Sequence, residues 1–316
     1  MSETMVPFVS FIIPTKNEET NIERCLRSIL ALDYPKDRYE IIVADGHSED
    51  RTCEIAQSLG AKVINNDKII QSAARNIGAI NAAGDLIAFI DADIILDPEW
   101  LKRAITHFND PEVAAVGNFP GIADDADWIE KVWFFHIKSK HAGKDLSRVD
   151  WLASANIIFD KETFMKIGGF DESIRYAEDV DIGLRVTIGG YRIILDPGLE
   201  STHLDYENSL TGFAKRQLAG GRVILQLLKK SGFKKNWRIA FFISVYLLFI
   251  ITFILGIFFS IKLSAVSLIC MVLMAALLAF QRCHNAGSYV YFLPLSLLLL
   301  LSGIVRAVAF VLPAKK

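Results

Sequence analysis

Between Ile239 and Pro313 the only formally charged residues are Lys262, Arg282 and Arg306. A soluble domain cannot leave such a stretch facing water, so the tail calls for a bilayer. Residues 239–260 carry no charge and are long enough to span it, since roughly 20 apolar residues suffice. Residues 263–281 and 289–312 are two further candidates, giving a membrane domain over 239–313 with about three transmembrane helices. Two spans plus a re-entrant or interfacial segment is the alternative. The link through Ile261-Lys262 is so short that the first two spans must form a tight hairpin. Arg306 falls inside the third candidate, where it either snorkels to an interface or faces another helix.

The segment before the tail, 229–238, is a basic linker with Lys229, Lys230, Lys234, Lys235 and Arg238. Positive charge beside a span marks the cytoplasmic side. Arg282, on the inner loop, agrees. Three spans would place Lys315 and Lys316 outside, a mild tension with the same rule. The N-terminus lacks the basic and apolar regions of a cleaved signal, so residues 1–228 are expected to be a cytosolic domain. Integral membrane attachment with the catalytic domain in the cytosol is the expected location. Cys25, Cys53, Cys270 and Cys283 show no metal-ligand or CxxC spacing, which suits free thiols in a reducing compartment.

Residues 1–228 alternate strand and helix patterns. Val9–Ile13 is an apolar run ended by Pro14, and Glu18–Leu32 has helical spacing. Glu40–Ala44, Lys62–Ile64 and Leu86–Ile90 read as further strands; Asp50–Leu59 and Gln71–Ala82 read as the helices between them. This is the spacing of βα units, so an α/β fold with a mostly parallel, Rossmann-like sheet is expected. Asp45 and Asp91 would then line up at one sheet edge, where open α/β sheets bind ligands. Trp128–Lys140 is an aromatic amphipathic helix, facing either a core or a lipid or acceptor surface. Later elements read as a strand at Ala155–Phe159, helices at Lys161–Ile167 and Asp179–Ile188, and a strand at Tyr191–Leu195. A net charge of −2 provides no basic field for nucleic acid.

Two acidic signatures carry the chemistry. Asp91-Ala92-Asp93 closes an apolar strand. On extended backbone, residues two apart point the same way, so both carboxylates could face one ion. Mg²⁺ or Mn²⁺ suits such oxygen ligands together with a diphosphate. Glu178-Asp179-Val180-Asp181 opens a predicted helix and offers a separate general base, with helix capping as the plainer role. His203 is either a third metal ligand or phosphate contact, or an ordinary packed histidine.

The chain resembles a family 2 glycosyltransferase of the GT-A fold, a nucleotide-diphospho-sugar transferase domain. The residues that carry the resemblance are Pro14-Thr15-Lys16-Asn17-Glu18, Asp45-Gly46-His47-Ser48-Glu49-Asp50, Ala74-Arg75-Asn76 with Gly78, Gly84-Asp85, Asp91-Ala92-Asp93, Gly168-Gly169-Phe170-Asp171-Glu172 and Glu178-Asp179-Val180-Asp181. They occur in the family's order over roughly residues 7–225. The resemblance implies that Pro14, Thr15 and Glu18 line the nucleoside pocket and that Asp45 hydrogen-bonds the base. Arg75 would approach base or phosphate. Asp91 would reach the ribose or metal-bound water, and Asp93 would hold Mg²⁺ or Mn²⁺. Asp179 would deprotonate an acceptor hydroxyl, giving inversion. The partners implied are a nucleotide-sugar donor, a lipid or lipid-linked acceptor, and the membrane.

Two segments depart from the family's patterns. Related membrane enzymes hold the diphosphate with a Gln/Arg-rich segment, which here points to Arg216 and Arg222. Gln217 is followed by Leu-Ala-Gly-Gly-Arg and not by the Gln-x-x-Arg-Trp form of processive synthases, so processive synthesis is not implied. Asp93-Ile94-Ile95-Leu96-Asp97-Pro98-Glu99-Trp100 matches only in part the segment of enzymes that charge polyprenyl phosphates, which keeps that acceptor as a candidate. A sugar-nucleotide pyrophosphorylase would need a glycine-rich loop after the first strand, and residues 14–18 have no glycine. A non-catalytic membrane scaffold or transporter subunit with a nucleotide-sensing domain is the alternative of another class. The spans lack the paired charges of a transport pathway.

Overall fold

A computed structural model describes residues 6–140, 146–174, 177–204, 209–231 and 233–312, with side chains described except at 140 and 223–239. The basic cluster at Lys229, Lys230, Lys234, Lys235 and Arg238 and the terminal Lys315 and Lys316 therefore lie outside the described side chains. The chain forms two compact units. One comprises 1–123 and 145–205, the other 124–144 and 206–316. The boundary expected at 228 shifts, because residues 124–144 and 206–228 belong to the second unit.

In the first unit the chain runs β1 (Val9–Thr15), α1 (Ile22–Leu30), β2 (Tyr39–Asp45), α2 (Thr52–Ser58), β3 (Lys62–Asn65), α3 (Gln71–Asn81), β4 (Leu86–Ile90), β5 (Ile94–Leu96), α4 (Trp100–Ile105), β6 (Val113–Gly117) and β7 (Gly121–Ile122). Helix α5 (Trp128–Lys140) belongs to the second unit. The first resumes with β8 (Ser147–Val149), β9 (Asn156–Asp160), α6 (Lys161–Lys166), α7 (Glu178–Ile188), β10 (Arg192–Leu195) and β11 (Ser201–His203). Among the described residues the main sheet has the order β3-β2-β1-β4-β9-β6-β10-β8, and a small sheet has the order β5-β11-β7. β1, β2, β3 and β4 are parallel as expected, whereas β9 runs antiparallel to both β4 and β6.

β1, β2 and β4 are buried on both faces, which is why they read as largely apolar runs. Leu86, Ala88 and Ile90 of β4 pack on one face with α1 and α4 residues such as Leu26, Ile29 and Trp100. Ile87 and Phe89 pack on the other, with Phe164, Phe170 and Ile182. Pro14 does not end β1. The β4 side of β1 stops pairing at Ile12, while the β2 side continues to Thr15↔Asp45. A proline is tolerated where one neighbour has already departed. Gly78 lets α3 approach this sheet, since a Cβ there would come within 2.3 Å of Ile12 Cγ2.

The second unit adds α8 (Leu210–Ser231), α9 (Phe233–Phe259), α10 (Ile261–Asn285) and α11 (Phe292–Val311). Segments Ala240–Phe259, Ile261–Asn285 and Phe292–Val311 are each long and apolar enough to cross a membrane. Helix α5 packs here: Ile129 and Val132 join Phe213, Ala275, Ala279 and Leu298 in one apolar cluster. Small residues let the helices close up, as in other membrane bundles. A Cβ on Gly303 would strike the Tyr246 ring at 2.3 Å, and one on Gly221 would meet Ala309 Cβ at 2.7 Å. The outward residues are large and apolar, among them Phe259 at 82%, Val290 at 80% and Leu293 at 75% exposed, a surface suited to lipid chains. The chain is expected to stay in the membrane pellet through carbonate and high-salt washing. Release into the supernatant would mean that these helices do not insert.

Candidate functional site

The carboxyl ends of β1, β2 and β3 lie side by side at one sheet edge, and a cleft of about 190 Å³ opens there. Pro14, Thr15 and Glu18 line it, joined by Gly46, Asn66 and Ile69. The loops after β1 and β2 are fastened together. Asn17 N–H donates to Ser48 Oγ (2.8 Å), Glu49 N–H to Asn17 Oδ1 (2.8 Å) and Glu18 N–H to Thr52 Oγ1 (2.8 Å). Three non-glycine residues at this rim have positive φ: Asn17 at 55°, His47 at 60° and Ile69 at 53°. For a β-branched residue such as Ile69 this is a strained conformation, and such strain concentrates at ligand sites. No sequence pattern announces it.

Asp45 is only 3% exposed. Its carboxylate accepts from Ser48 N–H (2.8 Å), Ser48 Oγ and Thr15 Oγ1 (3.1 Å). Burial alone would raise its pKa, but these bonds outweigh burial and hold the carboxyl below its usual range. Asp45 thus braces the cleft wall, and a direct bond to a base would require exchanging one of these partners. The serine three residues after Asp45 is the readable sign of this local turn.

Arg75 departs from expectation. It does not line the cleft; it is 1% exposed. Its Nη2 donates to Asp91 Oδ1 at 2.8 Å and its Nη1 to Glu178 Oε1 at 3.0 Å, with the Phe170 ring 5.6 Å from the guanidinium carbon. Burial opposes its charge, but the two carboxylates more than compensate and keep it a cation. Arg75 therefore joins the end of β4 to the start of α7. Glu178, the first residue of the acidic motif, is a partner in this bridge.

The Asp91-Ala92-Asp93 segment is a turn and not extended chain, with Ile94 N–H donating to Asp91 O at 3.1 Å. The alternation expected to bring both carboxylates to one point does not apply. Asp91 turns to Arg75, whereas Asp93 turns to His203, with 3.5 Å between Asp93 Oδ2 and His203 Nε2. That pairing follows from the small sheet, where His203 sits opposite Ile94, the residue after Asp93. Leu204 N–H also donates to Asp93 O at 2.8 Å.

No group of three or more His, Cys, Asp or Glu suited to a metal occurs among the described residues. A cation that grips a diphosphate needs only one or two protein ligands, the rest coming from phosphate and water. A carboxylate beside an imidazole nitrogen meets that need for Mn²⁺ or Mg²⁺.

Asp179 lies in the first turn of α7, preceded by Ala177 in the left-handed region at φ 61°. Its pKa is pushed up to about 7, first by burial and then by the charge of Glu178, against the N–H of Val180 and the charge of Arg75. A carboxyl poised near neutrality can accept and release a proton under ordinary conditions. Arg216 and Arg222 lie on α8 of the second unit. Gln217 between them is 2% exposed and accepts from Ser302 Oγ (2.9 Å) and Arg306 Nε (2.8 Å).

Residues 10–168 match the model of glycosyl transferase family 2. The chain is 28% identical over 204 residues to Glycosyltransferase AglE of Haloferax volcanii, covering 61% of this chain and 65% of that protein, just under two thirds of its length. It is 26% identical over 277 residues to the dolichyl N-acetyl-alpha-D-glucosaminyl phosphate 3-beta-D-2,3-diacetamido-2,3-dideoxy-beta-D-glucuronosyltransferase of Methanococcus voltae, covering 78% of this chain and 82% of that one. Among solved structures, the mannosyltransferase PcManGT of Pyrobaculum calidifontis, in complex with GDP-Man and Mn²⁺, superposes with a TM-score of 0.65 at 20% identity. That match covers 97% of this chain and 88% of the other, and establishes the GT-A fold.

Replacing Arg75 by Met strands two part-buried carboxylates against each other. Loss of one partner from a buried ion pair costs about 3–5 kcal/mol. Thermal or denaturant unfolding of the R75M protein is expected to show a loss of that order; a change under about 1 kcal/mol would mean that the bridge has little structural weight.

Proposed function

Because the chain belongs to glycosyl transferase family 2, we propose that it moves a sugar from a nucleotide-diphosphate sugar to a lipid or lipid-linked acceptor, with inversion at the anomeric carbon. The observation that carries this reading is the Arg75 bridge, which ties Asp91, two residues before the Asp93–His203 pair, to Glu178, the neighbour of the raised Asp179 carboxyl. Pro14, Thr15 and Glu18 form the wall against which the nucleoside rests. Asp93 and His203 would hold Mg²⁺ or Mn²⁺, while Asp91, taken up by Arg75, supports the turn that carries Asp93. The metal, when bound, offsets the charge of the departing nucleoside diphosphate.

Asp179 accepts the proton of an acceptor hydroxyl as its oxygen attacks the anomeric carbon. Attack occurs opposite the leaving group, so configuration inverts in one displacement. Glu178, held by Arg75, keeps the first turn of α7 in place. The acceptor class is supported by the three candidate spans and by the lipid acceptor in the name of the Methanococcus voltae relative. The catalytic unit is assigned to the cytosol from the basic linker at 229–238.

Two measurements test this reading. In Asp179→Asn the proton acceptor is removed while size is kept, so transfer to a hydroxyl acceptor should fall by about 10²–10⁴ with donor affinity unchanged. In the wild type the rate should rise with pH through about 7 and then level, because only the deprotonated carboxylate accepts a proton; the variant should lack this limb. A phosphate acceptor is already ionised and would lose little, so the size of the drop reports the acceptor class. Separately, EDTA should abolish transfer and Mn²⁺ or Mg²⁺ restore it, while Asp93→Ala should lose donor binding and rate together. Full turnover in chelator would remove the metal from the scheme.

A further inference from the structure

The second unit contains a cavity of about 380 Å³ among α5 and the three apolar helices. Its wall is mixed: Trp133, His136 and Phe242 lie beside Ser302, Arg282 and Arg306. Two guanidinium groups on one cavity within a membrane bundle require an explanation, because cations are costly at that depth. After Glu207 the sequence contains no Asp or Glu to its last residue, so helices α8–α11 have no carboxylate to offer, and the buried Glu130 on α5 is not among the residues that line the cavity. Arg306 has used one donor on the neutral oxygen of Gln217. Arg282 makes no side-chain hydrogen bond or ion pair with any described residue, and its Nε is buried without a partner. Gln217, bonded also to Ser302, fixes the Arg306 side chain along the wall.

The depth of the cavity fits a headgroup. The first span begins at Ala240, the second ends at Asn285 and the third begins at Phe292, so these three ends lie together at one end of the bundle. Phe242 and Arg282 are within a turn of that end. A ligand there meets Arg282 near the level of a membrane interface, with Arg306, far along the third span, deeper on the same cavity wall. We propose that this cavity binds the phosphate headgroup of a lipid, with Arg282 and Arg306 supplying the hydrogen bonds and the counter-charge. Arginine suits this, since its planar fork matches phosphate oxygens and stays charged in apolar surroundings. The site deepens the proposed acceptor class and rests on that reading only for the lipid's role as acceptor; binding itself stands apart.

The test uses the full chain in a neutral detergent, with farnesyl phosphate, farnesol and inorganic phosphate as probes. Farnesyl phosphate is expected to bind at least about tenfold more tightly than farnesol, as a charged hydrogen bond implies, and inorganic phosphate alone should not displace it. Arg282→Gln and Arg306→Gln should each weaken it by about tenfold or more, Arg282→Lys by less. Unfolding midpoints and nucleotide binding should be those of the wild type. Equal affinity for farnesol would mean that the arginines only snorkel, and would overturn the proposal. Displacement by inorganic phosphate at similar affinity would make the site one for a free anion and overturn the lipid assignment. An unchanged affinity in folded Arg282→Gln would remove Arg282 from the site. If the phosphate lipid binds but is never glycosylated, the acceptor role fails while the binding site stands.

Discussion

A buried guanidinium shared by two carboxylates organises the catalytic unit. Arg75 comes from α3, Asp91 from the turn after β4, and Glu178 from the first turn of α7. Desolvating any one of these charges alone would be prohibitive, so the three elements must arrive together. The bridge has consequences for each neighbour. Asp91, engaged by Arg75, leaves Asp93 as the carboxylate beside His203. Glu178, engaged by Arg75, fixes the position of Asp179 next to it. The left-handed Ala177 at the entrance to α7 is a local cost of about 1–3 kcal/mol that such an over-determined arrangement can sustain.

The same bridge sets the proton affinity of the proposed base. Burial and the negative Glu178 push Asp179 up, while Arg75 pulls it down. Were Arg75 paired directly with Asp179, the result would be a stable ion pair and a poor proton acceptor. Because its two Nη donors go to Asp91 and Glu178, it acts on Asp179 only through space. A carboxyl near neutrality is therefore a product of how one cation is divided among its neighbours, not of burial alone.

Much of the fold was legible in the sequence, for physical reasons. β4 at Leu86–Ile90 and α3 from Gln71 were readable because a strand buried on both faces is an apolar run and a helix on its face repeats at helical spacing. The apolar tail was legible by length and charge alone. What was not legible depends on partners distant in sequence. Strands β5, β7 and β11 are two or three residues long and exist only because they pair with one another. The turn at Asp91-Ala92-Asp93 looks extended when read as a continuation of β4, and that misreading sent both carboxylates to the same place. The burial of Arg75 was likewise hidden, since an arginine in a motif reads as a ligand contact until its two acidic partners, 16 and 103 residues away, are seen on it.

Gln217 shows how one residue can satisfy a motif-based expectation in type and differ in use. By position it belongs to the segment expected to grip a diphosphate. In the structure its side-chain oxygen faces α11 and accepts from Ser302 and Arg306. An amide oxygen can orient a guanidinium without discharging it, because it accepts hydrogen bonds yet carries no formal charge. A carboxylate at the same position would have formed a closed ion pair with Arg306. The choice of glutamine, in a region with no Asp or Glu after Glu207, keeps the arginine positive and therefore able to attract an anion. Structural need alone would favour the carboxylate or an apolar pair; the glutamine instead leaves Arg306 with donors for the anion proposed above.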